Sequence, residues 1–138
     1  MLSKINGIII TRLGFGLTMA IAHGLPKILN YESYVKQFPD VLGIGVAVSL
    51  ILVIFAELFC ALCVAFGIQV RLACLPIVIT MAVACFVYHA ADPFSVKELS
   101  FLYLVSFTSL MLTGGGPGSR TPLSFGKSSF TRWLFESK

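Results

Sequence analysis

Charged side chains are scarce in this 138-residue chain, at 12% of its residues. An ordinary soluble domain has about 25%. With 57% hydrophobic residues and a mean hydropathy of +0.94, the polar side chains are too few to cover a water-soluble globule. A soluble enzyme and an intrinsically disordered chain are therefore both excluded. The composition indicates an integral membrane protein.

Acidic residues are scarcer than basic ones, 6 against 10, so the formal net charge is +4. In a soluble protein this imbalance would be compatible with nucleic-acid binding. Here the basic residues stand at the ends of apolar segments, a pattern typical of membrane orientation and contact with anionic headgroups. No basic stripe with interleaved aromatic residues is present. We therefore expect membrane lipid, and not nucleic acid, as a partner.

Four apolar stretches are long enough to cross a bilayer, which takes about 20 helical residues. They cover about residues 5–22, 42–67, 72–89 and 97–113. The connection over residues 24–41 is longer than the others, and its aromatic and charged content is typical of an interfacial loop or half-helix. We predict an all-α membrane protein, with a four-transmembrane-helix bundle over residues 1–119. A cleaved signal peptide is the alternative for the first stretch, but Arg12 would interrupt its apolar core.

The basic residues of the short connections predict the orientation. Six lie in the N-terminus, the second connection and the tail: Lys4, Arg71, Arg120, Lys127, Arg132 and Lys138. Three lie in the first and third connections: Lys27, Lys36 and Lys97. We therefore expect both termini to be cytoplasmic in a multi-pass protein of a bacterial inner membrane. In the tail, residues 120–138, the spacing of Phe130, Trp133 and Leu134 predicts a short amphipathic helix at the cytoplasmic surface.

Ionisable side chains inside membrane spans are costly, so each indicates a functional site or a buried pair. Arg12 and Glu57 stand at similar depths in two antiparallel spans, when depth is counted from the cytoplasmic side at about 1.5 Å per residue. An Arg12–Glu57 ion pair is therefore predicted, because burial of either charge requires a partner. The pair would act as a structural clamp or as part of a ligand site.

A second polar cluster is predicted near the outer face. Its members are His23, Lys27, His89, Asp92 and Glu98, which end or begin three of the spans. Helical spacing also places Arg12, Gly16 and His23 on nearly one face of the first span, and Arg71 and His89 on one face of the third.

This cluster has several possible chemistries. Histidine with a carboxylate can relay protons, and lysine with histidine can hydrogen-bond an anion or a quinone carbonyl. A metal site from His23, His89 and a carboxylate is disfavoured, since no paired ligand spacing is present. The alternative is that these side chains are simply solvated at the interface. The candidate polar pocket thus comprises the following residues: Arg12, His23, Lys27, Glu57, Arg71, His89 and Glu98.

Two further motifs have structural interpretations. Cys60 and Cys63 form a CxxC motif, but within an apolar span we interpret them, with Cys74 and Cys85, as small buried hydrophobic residues. A quinone-linked dithiol relay is the alternative. Residues 114–119 (GGGPGS) resemble a phosphate-binding loop but lack its Lys-Ser/Thr and its following helix. We interpret them as a flexible exit from the fourth span.

The order of these motifs resembles the DoxX family. The resemblance covers about residues 8–119, and its motifs are RLGFG at 12–16, HGLPK at 23–27, Glu57, Gly67, Arg71, Met81-Ala82, Glu98-Leu99 and GGGPG at 114–118. Members of this family often have an acidic residue shortly after the glycine-rich exit. Here Arg120-Thr121-Pro122 follows instead, so a role for that acid is not expected in this chain.

The resemblance implies a four-helix inner-membrane protein. The family takes its name from a subunit of a thiosulfate:quinone oxidoreductase, and other members are linked to membrane redox complexes. We therefore expect a redox-linked, quinone-associated subunit, with quinone as the candidate cofactor and other subunits of the complex as partners. The sequence has no motif for a tightly bound cofactor, so catalysis by this chain alone is not predicted. A non-catalytic structural or assembly subunit and a small-solute transporter are the alternative functions. A second copy of the chain, in a homo-oligomer, is a further candidate partner.

Overall fold

The computed structural model describes residues 7–121 and 129–135. Four helices are long and apolar enough to cross a membrane: α1 (Gly7–Leu29), α3 (Val46–Phe66), α4 (Val70–Tyr88) and α5 (Phe94–Thr113). Two short helices accompany them, α2 (Tyr31–Gln37) between the first two spans and α6 (Ser129–Phe135) in the tail. The predicted all-α, four-span bundle with a short helical tail segment is thereby confirmed.

Successive spans are antiparallel, so the bundle has two distinct ends. We call the end that holds the start of α1, the Gly67–Gln69 connection and the exit from α5 the basal end. The apical end holds residues 30–45 and the short connection between α4 and α5. The long first connection is not an open loop, because α2 and the carboxylate of Asp40 order it. Asp40 accepts hydrogen bonds from the N–H groups of Ile44 and Gly45, at 3.1 and 3.0 Å, just before α3 begins.

The first span is longer than predicted, since α1 continues past residue 22 to Leu29. Pro26 lies inside it without ending it. A π-helical turn over Met19–Gly24 precedes the proline, and the N–H of Leu25 donates to the carbonyl of Ala20, five residues back. Transmembrane helices tolerate proline where such local adjustments satisfy the backbone. The extra turns bring Lys27 into the helical bundle.

Similar π-helical turns occur in α3 over Phe55–Cys60 and in α4 over Ala84–Tyr88. Such turns are rare, and they are frequent at functional sites. The turns in α1 and α3 pack against each other. Each one changes which side chains face the neighbouring helix, so faces derived from a regular helix no longer apply beyond it.

Small residues set the contact between α1 and α3. Gly16, Ala20 and Gly24 are buried at four-residue intervals along α1. A Cβ atom on Gly16 would lie 2.8 Å from the carbonyl oxygen of Ala61. Close approach of two backbones through small residues is a typical way for helices to pack in membranes.

The basal connection between α3 and α4 is tight. Gly67, with φ of 75°, ends α3, and Gln69, with φ of 46°, precedes α4. The chain after α5 then pairs with this connection: the N–H of Gln69 donates to the carbonyl of Arg120 at 2.9 Å, and the N–H of Arg120 donates to the carbonyl of Gly67 at 2.7 Å. The glycine-rich segment does end the fourth span, as predicted. The hydrogen bonds of Arg120 fix the chain directly after this segment, and the flexibility of the segment itself stays a prediction.

Candidate ligand-binding site

A buried ion pair joins α1 and α3. The ammonium of Lys27 lies 2.5 Å from Oε2 of Glu57, and the two side chains are 13% and 7% exposed. Lys27 also donates to the carbonyl of His23 at 3.1 Å, and its ammonium lies 5.9 Å from the ring centre of Tyr34 on α2. Each charge thus has the opposite charge that burial in a membrane span requires.

Two features of the backbone make this pair possible. Gly24 approaches α3 so closely that a Cβ atom there would lie 2.7 Å from the backbone carbon and oxygen of Glu57. In a helix the Cα–Cβ bond tilts toward the N-terminus, and the N-terminus of α3 is at the apical end. The side chain of Glu57 is therefore directed apically, toward Lys27 one turn beyond Gly24.

A cavity of about 750 Å³ borders the ion pair in the apical half of the bundle. Lys27, Glu57 and Ser49 are among its polar lining residues, and polar residues of α2 contribute as well. Much of the remaining wall is apolar, formed by residues of α3 and α4 such as Leu52, Val53, Ile79, Met81 and Val83. An apolar pocket with a few convergent polar groups is the usual form of a small-molecule site.

Arg12 does not take part in this pair. Its side chain, on α1, is directed toward the basal end, and its Nη1 donates to the carbonyl of Gly115 at 2.5 Å. A Cβ atom on Gly67, in the α3–α4 connection, would lie 2.5 Å from the same Nη1. The predicted Arg12–Glu57 pair is therefore wrong. Because α1 and α3 are antiparallel, the N-terminal tilt of helical side chains directs these two charges toward opposite ends of the bundle.

His23 lies beside the ion pair but faces α5. Its ring meets that of Tyr103 edge to face, with 5.4 Å between the ring centres, and it does not line the cavity. Tyr103 also stacks on Phe107 at 6.1 Å. The predicted common face of Arg12, Gly16 and His23 is wrong, because the π-helical turn over Met19–Gly24 places Gly24 against α3 in the position expected for His23.

The outer cluster expected from the sequence divides into separate parts. Lys27 pairs with Glu57, whereas Nδ1 of His89 lies 2.7 Å from Oδ2 of Asp92 in the connection between α4 and α5. Glu98 is exposed on the first turns of α5. Neither His89 nor Glu98 lines the cavity. Of the seven predicted pocket residues, the structure therefore brings only Lys27 and Glu57 together at this cavity.

Arg71 lies at the basal end, on the first turn of α4. Its Nη1 donates to the carbonyl of Trp133 at 2.6 Å, and its guanidinium carbon lies 5.1 Å from the centre of the tryptophan ring. This contact holds α6 against the bundle. Arg71 and His89 thus stand at opposite ends of α4 and contribute to no common site.

Comparison with protein-family models gives a match to DoxX over residues 7–90. The chain belongs to the DoxX family. The match includes α1 to α4 with both partners of the ion pair, and it ends before Glu98 and the glycine-rich exit. Comparisons with curated proteins and with solved structures found no match.

The four cysteines of this DoxX protein are free thiols. Cys60, Cys74 and Cys85 are buried and Cys63 is partly buried, as the interpretation as small hydrophobic residues requires. None of them lines the cavity. Among residues 7–121 and 129–135, no group of three His, Cys, Asp or Glu side chains is arranged to bind a metal ion.

The contribution of α2 and of Ser49 to the cavity is not predicted by the sequence pattern. Ser49 is 9% exposed, and its hydroxyl lies 3.4 Å from Oδ1 of Asp40. The register of α1 against α3 also differs from the predicted one. The signal for that register was present in the four-residue spacing of Gly16, Ala20 and Gly24, which marks the close face of α1 and places Lys27 next to it.

Proposed function

We propose that this DoxX protein is a redox-linked, quinone-associated subunit of a membrane oxidoreductase complex. The observation that carries the proposal is the cavity of about 750 Å³, which has a largely apolar side formed by α3 and α4 and the Lys27–Glu57 ion pair in its wall. Buried charge inside a span is expensive, and it commonly marks a site where a substrate or a proton is handled.

The cavity offers the groups that a quinone head would contact and a route by which a quinone could enter. A quinone has a flat, largely apolar head with carbonyl oxygens that accept hydrogen bonds, and Lys27 is a donor in an otherwise mostly apolar wall. Leu52 and Ile79 line the cavity and are 52% and 56% exposed. They lie in the membrane-spanning parts of α3 and α4, and this exposure supports an entrance to the cavity between these helices. A lipid-soluble ligand would enter from the bilayer by this route.

A bound quinone would supply a carrier of two electrons and two protons. The Lys27 ammonium would donate a hydrogen bond to a ring carbonyl and so orient the head. The Glu57 carboxylate would hold this ammonium in place through the ion pair at Oε2. The apolar walls from α3 and α4 would limit water around these groups. The chain has no motif for a tightly bound redox cofactor, so the electrons would come from a partner subunit.

The proposed location of the protein is a bacterial inner membrane, with both termini cytoplasmic. The excess of basic residues at the basal end supports this orientation. The cavity would then be in the periplasmic half of the bilayer.

A non-catalytic assembly subunit is the second candidate. It is favoured by the completeness of the ion pair, since Lys27 already contacts Glu57 and the carbonyl of His23. In that case the pair would act only as a clamp between α1 and α3.

The two candidates are separated by quinone binding in nanodiscs, titrated with short-chain ubiquinone and menaquinone analogues. We expect K27M and a charge-neutral K27M/E57Q double variant to bind about tenfold or more weakly, the loss expected for one hydrogen bond to a charged donor. The matched control is K97M, because Lys97 is a lysine of the apical end that donates to the carbonyl of Ala90 and does not line the cavity. Undiminished binding in K27M, or no binding in the wild type, would favour the assembly subunit.

A further inference from the structure

The basal end of the bundle contains a second polar site, separate from the cavity. It is formed by the glycine-rich exit from α5, residues 114–119, and by two arginines from other helices. Arg12 of α1 donates from Nη1 to the carbonyl of Gly115. Arg71 of α4 lies against the same segment, since a Cβ atom on Gly114 would be 3.3 Å from its Nε.

This site has unused hydrogen-bond donors. The side chain of Arg12 is buried, with 7% of the residue exposed, and its Nε has no hydrogen-bond partner. The hydroxyl of Ser119 is also buried without a partner, and it lies 3.1 Å from the position of a Cβ atom on Gly115. Buried polar groups are almost always satisfied by protein, water or a ligand. The Nε of Arg12 and the hydroxyl of Ser119 are therefore two buried donors at this segment that a water or a ligand would have to satisfy.

The backbone of the exit adds to these donors. Gly114, Gly116 and Gly118 have positive φ angles of 83°, 67° and 76°. Among the described residues, the N–H groups of Gly115, Gly116 and Gly118 make no hydrogen bond. Successive free N–H groups in such turns form concavities that bind anions.

Arg12 has no acidic partner in the part of the chain that the structure describes. The acidic residues among 7–121 and 129–135 are Glu32, Asp40, Glu57, Asp92 and Glu98. All of them lie in the apical connections, on the first turns of α5 or in the ion pair with Lys27. No carboxylate of these residues is therefore available to Arg12, whose charge is buried next to backbone carbonyls and glycines. A buried guanidinium requires a counter-charge.

The geometry points to a phosphate-binding site at the basal end, formed by Arg12, Arg71, Ser119 and the N–H groups of the exit. Guanidinium groups with free backbone N–H donors are the usual recognition elements for phosphate oxygens. The phosphate could belong to an anionic phospholipid of the adjacent leaflet or be free in solution. The site differs from a P-loop because its cations come from two other helices and not from a following Lys-Ser/Thr.

Phosphate or phospholipid retention by the full chain tests this site. The test uses no quinone, so its outcome is independent of the proposed function. Native mass spectrometry would compare protein equilibrated with phosphatidylglycerol and with a phosphate-free galactosyl diacylglycerol. Thermal melts of the delipidated protein in a maltoside detergent would compare inorganic phosphate with chloride at equal ionic strength. Retention of one phosphatidylglycerol alone identifies a lipid site, and protection by inorganic phosphate identifies a site open to the free ion.

The variants are R71Q and S119A, with R120Q as the matched control. R71Q is expected to weaken phosphate binding about tenfold and S119A about fivefold, as expected for loss of a charged and of a neutral donor. Arg120 is an exposed arginine of the same end, and its backbone pairs with Gly67 and Gln69. R120Q therefore removes an equal charge while the backbone contact remains, and it should bind phosphate as the wild type does. Equal weakening in R120Q would show general electrostatic attraction and overturn the proposal. Failure of wild-type protein to retain or respond to either form of phosphate would also overturn it.

Discussion

Lys27 and Glu57, 30 residues apart in the chain, form a buried ion pair with 2.5 Å between Nζ and Oε2. The pair links the last turns of α1 to the middle of α3 and borders the apical cavity. It therefore has two separable consequences, one for the stability of the bundle and one for ligand binding.

Removal of one partner should destabilise the protein strongly. We expect E57A to lower the free energy of unfolding by about 3 kcal/mol, because the ammonium of Lys27 would remain buried without its counter-charge. The double variant K27M/E57L should recover at least half of this loss, since a pair replaced by apolar side chains leaves no buried charge. The measurement is reversible unfolding in mixed micelles, with K97M as the lysine control. A double variant no more stable than E57A would contradict the pairing.

Arg12 should be independent of Glu57. We expect a double-mutant cycle of R12M and E57Q to show a coupling energy below about 0.5 kcal/mol, as is usual for residues without shared partners. The same cycle with K27M in place of R12M should show a clearly larger coupling. Unfolding in mixed micelles provides both values. A strong Arg12–Glu57 coupling would restore the pairing that the sequence predicted and contradict the structure.

The sequence allowed the fold to be predicted but not the pairing of its charges. The number of spans and their approximate bounds depend on the length of the apolar segments, which can be read directly from the sequence. Partner choice depends on the relative shift of two antiparallel helices and on side-chain direction. Counting residues from the membrane surface placed Arg12 and Glu57 at one depth. The close contact of Gly24 with the backbone of Glu57 sets a different register, in which Lys27 is the partner.

The limits of the site prediction have similar causes. A regular helix with 3.6 residues per turn predicts that His23 lies on the face of α1 that contains Arg12. The π-helical turn over Met19–Gly24 changes which residues share that face. The periodicity of the apolar residues does not predict this turn. The contribution of α2 to the cavity depends on where the first connection packs in the folded protein. The sequence predicts an interfacial loop or half-helix there, but not its position.

Gly24 should tolerate no side chain. We expect G24A to lower the free energy of unfolding by about 2 kcal/mol, because its Cβ would lie 2.7 Å from the backbone of Glu57 and push α1 away from α3. G24A should also weaken quinone binding, since the same displacement separates Lys27 from Glu57.

Gly14 is the matched control on the same helix, because nothing lies within 4 Å of a Cβ there. G14A should change stability by less than about 1 kcal/mol, in the direction of a gain. Equal losses in G14A and G24A would show that helix propensity or lipid contact, and not the α1–α3 contact, is responsible.

The cysteines should be dispensable for ligand binding. Cys60 and Cys63 are free thiols in the basal half of α3, and neither lines the cavity. We therefore expect C60A/C63A to bind the quinone analogues within about twofold of the wild type, while the buried Cys60 causes a loss of stability of about 1 kcal/mol. Quinone titration in nanodiscs measures the first effect and unfolding in mixed micelles the second. A loss of binding together with a redox-dependent gel shift in the wild type would instead support a dithiol relay between these cysteines and the quinone. C85A is the control for deletion of a buried thiol outside the CxxC motif, since Cys85 is buried in α4 and does not line the cavity either.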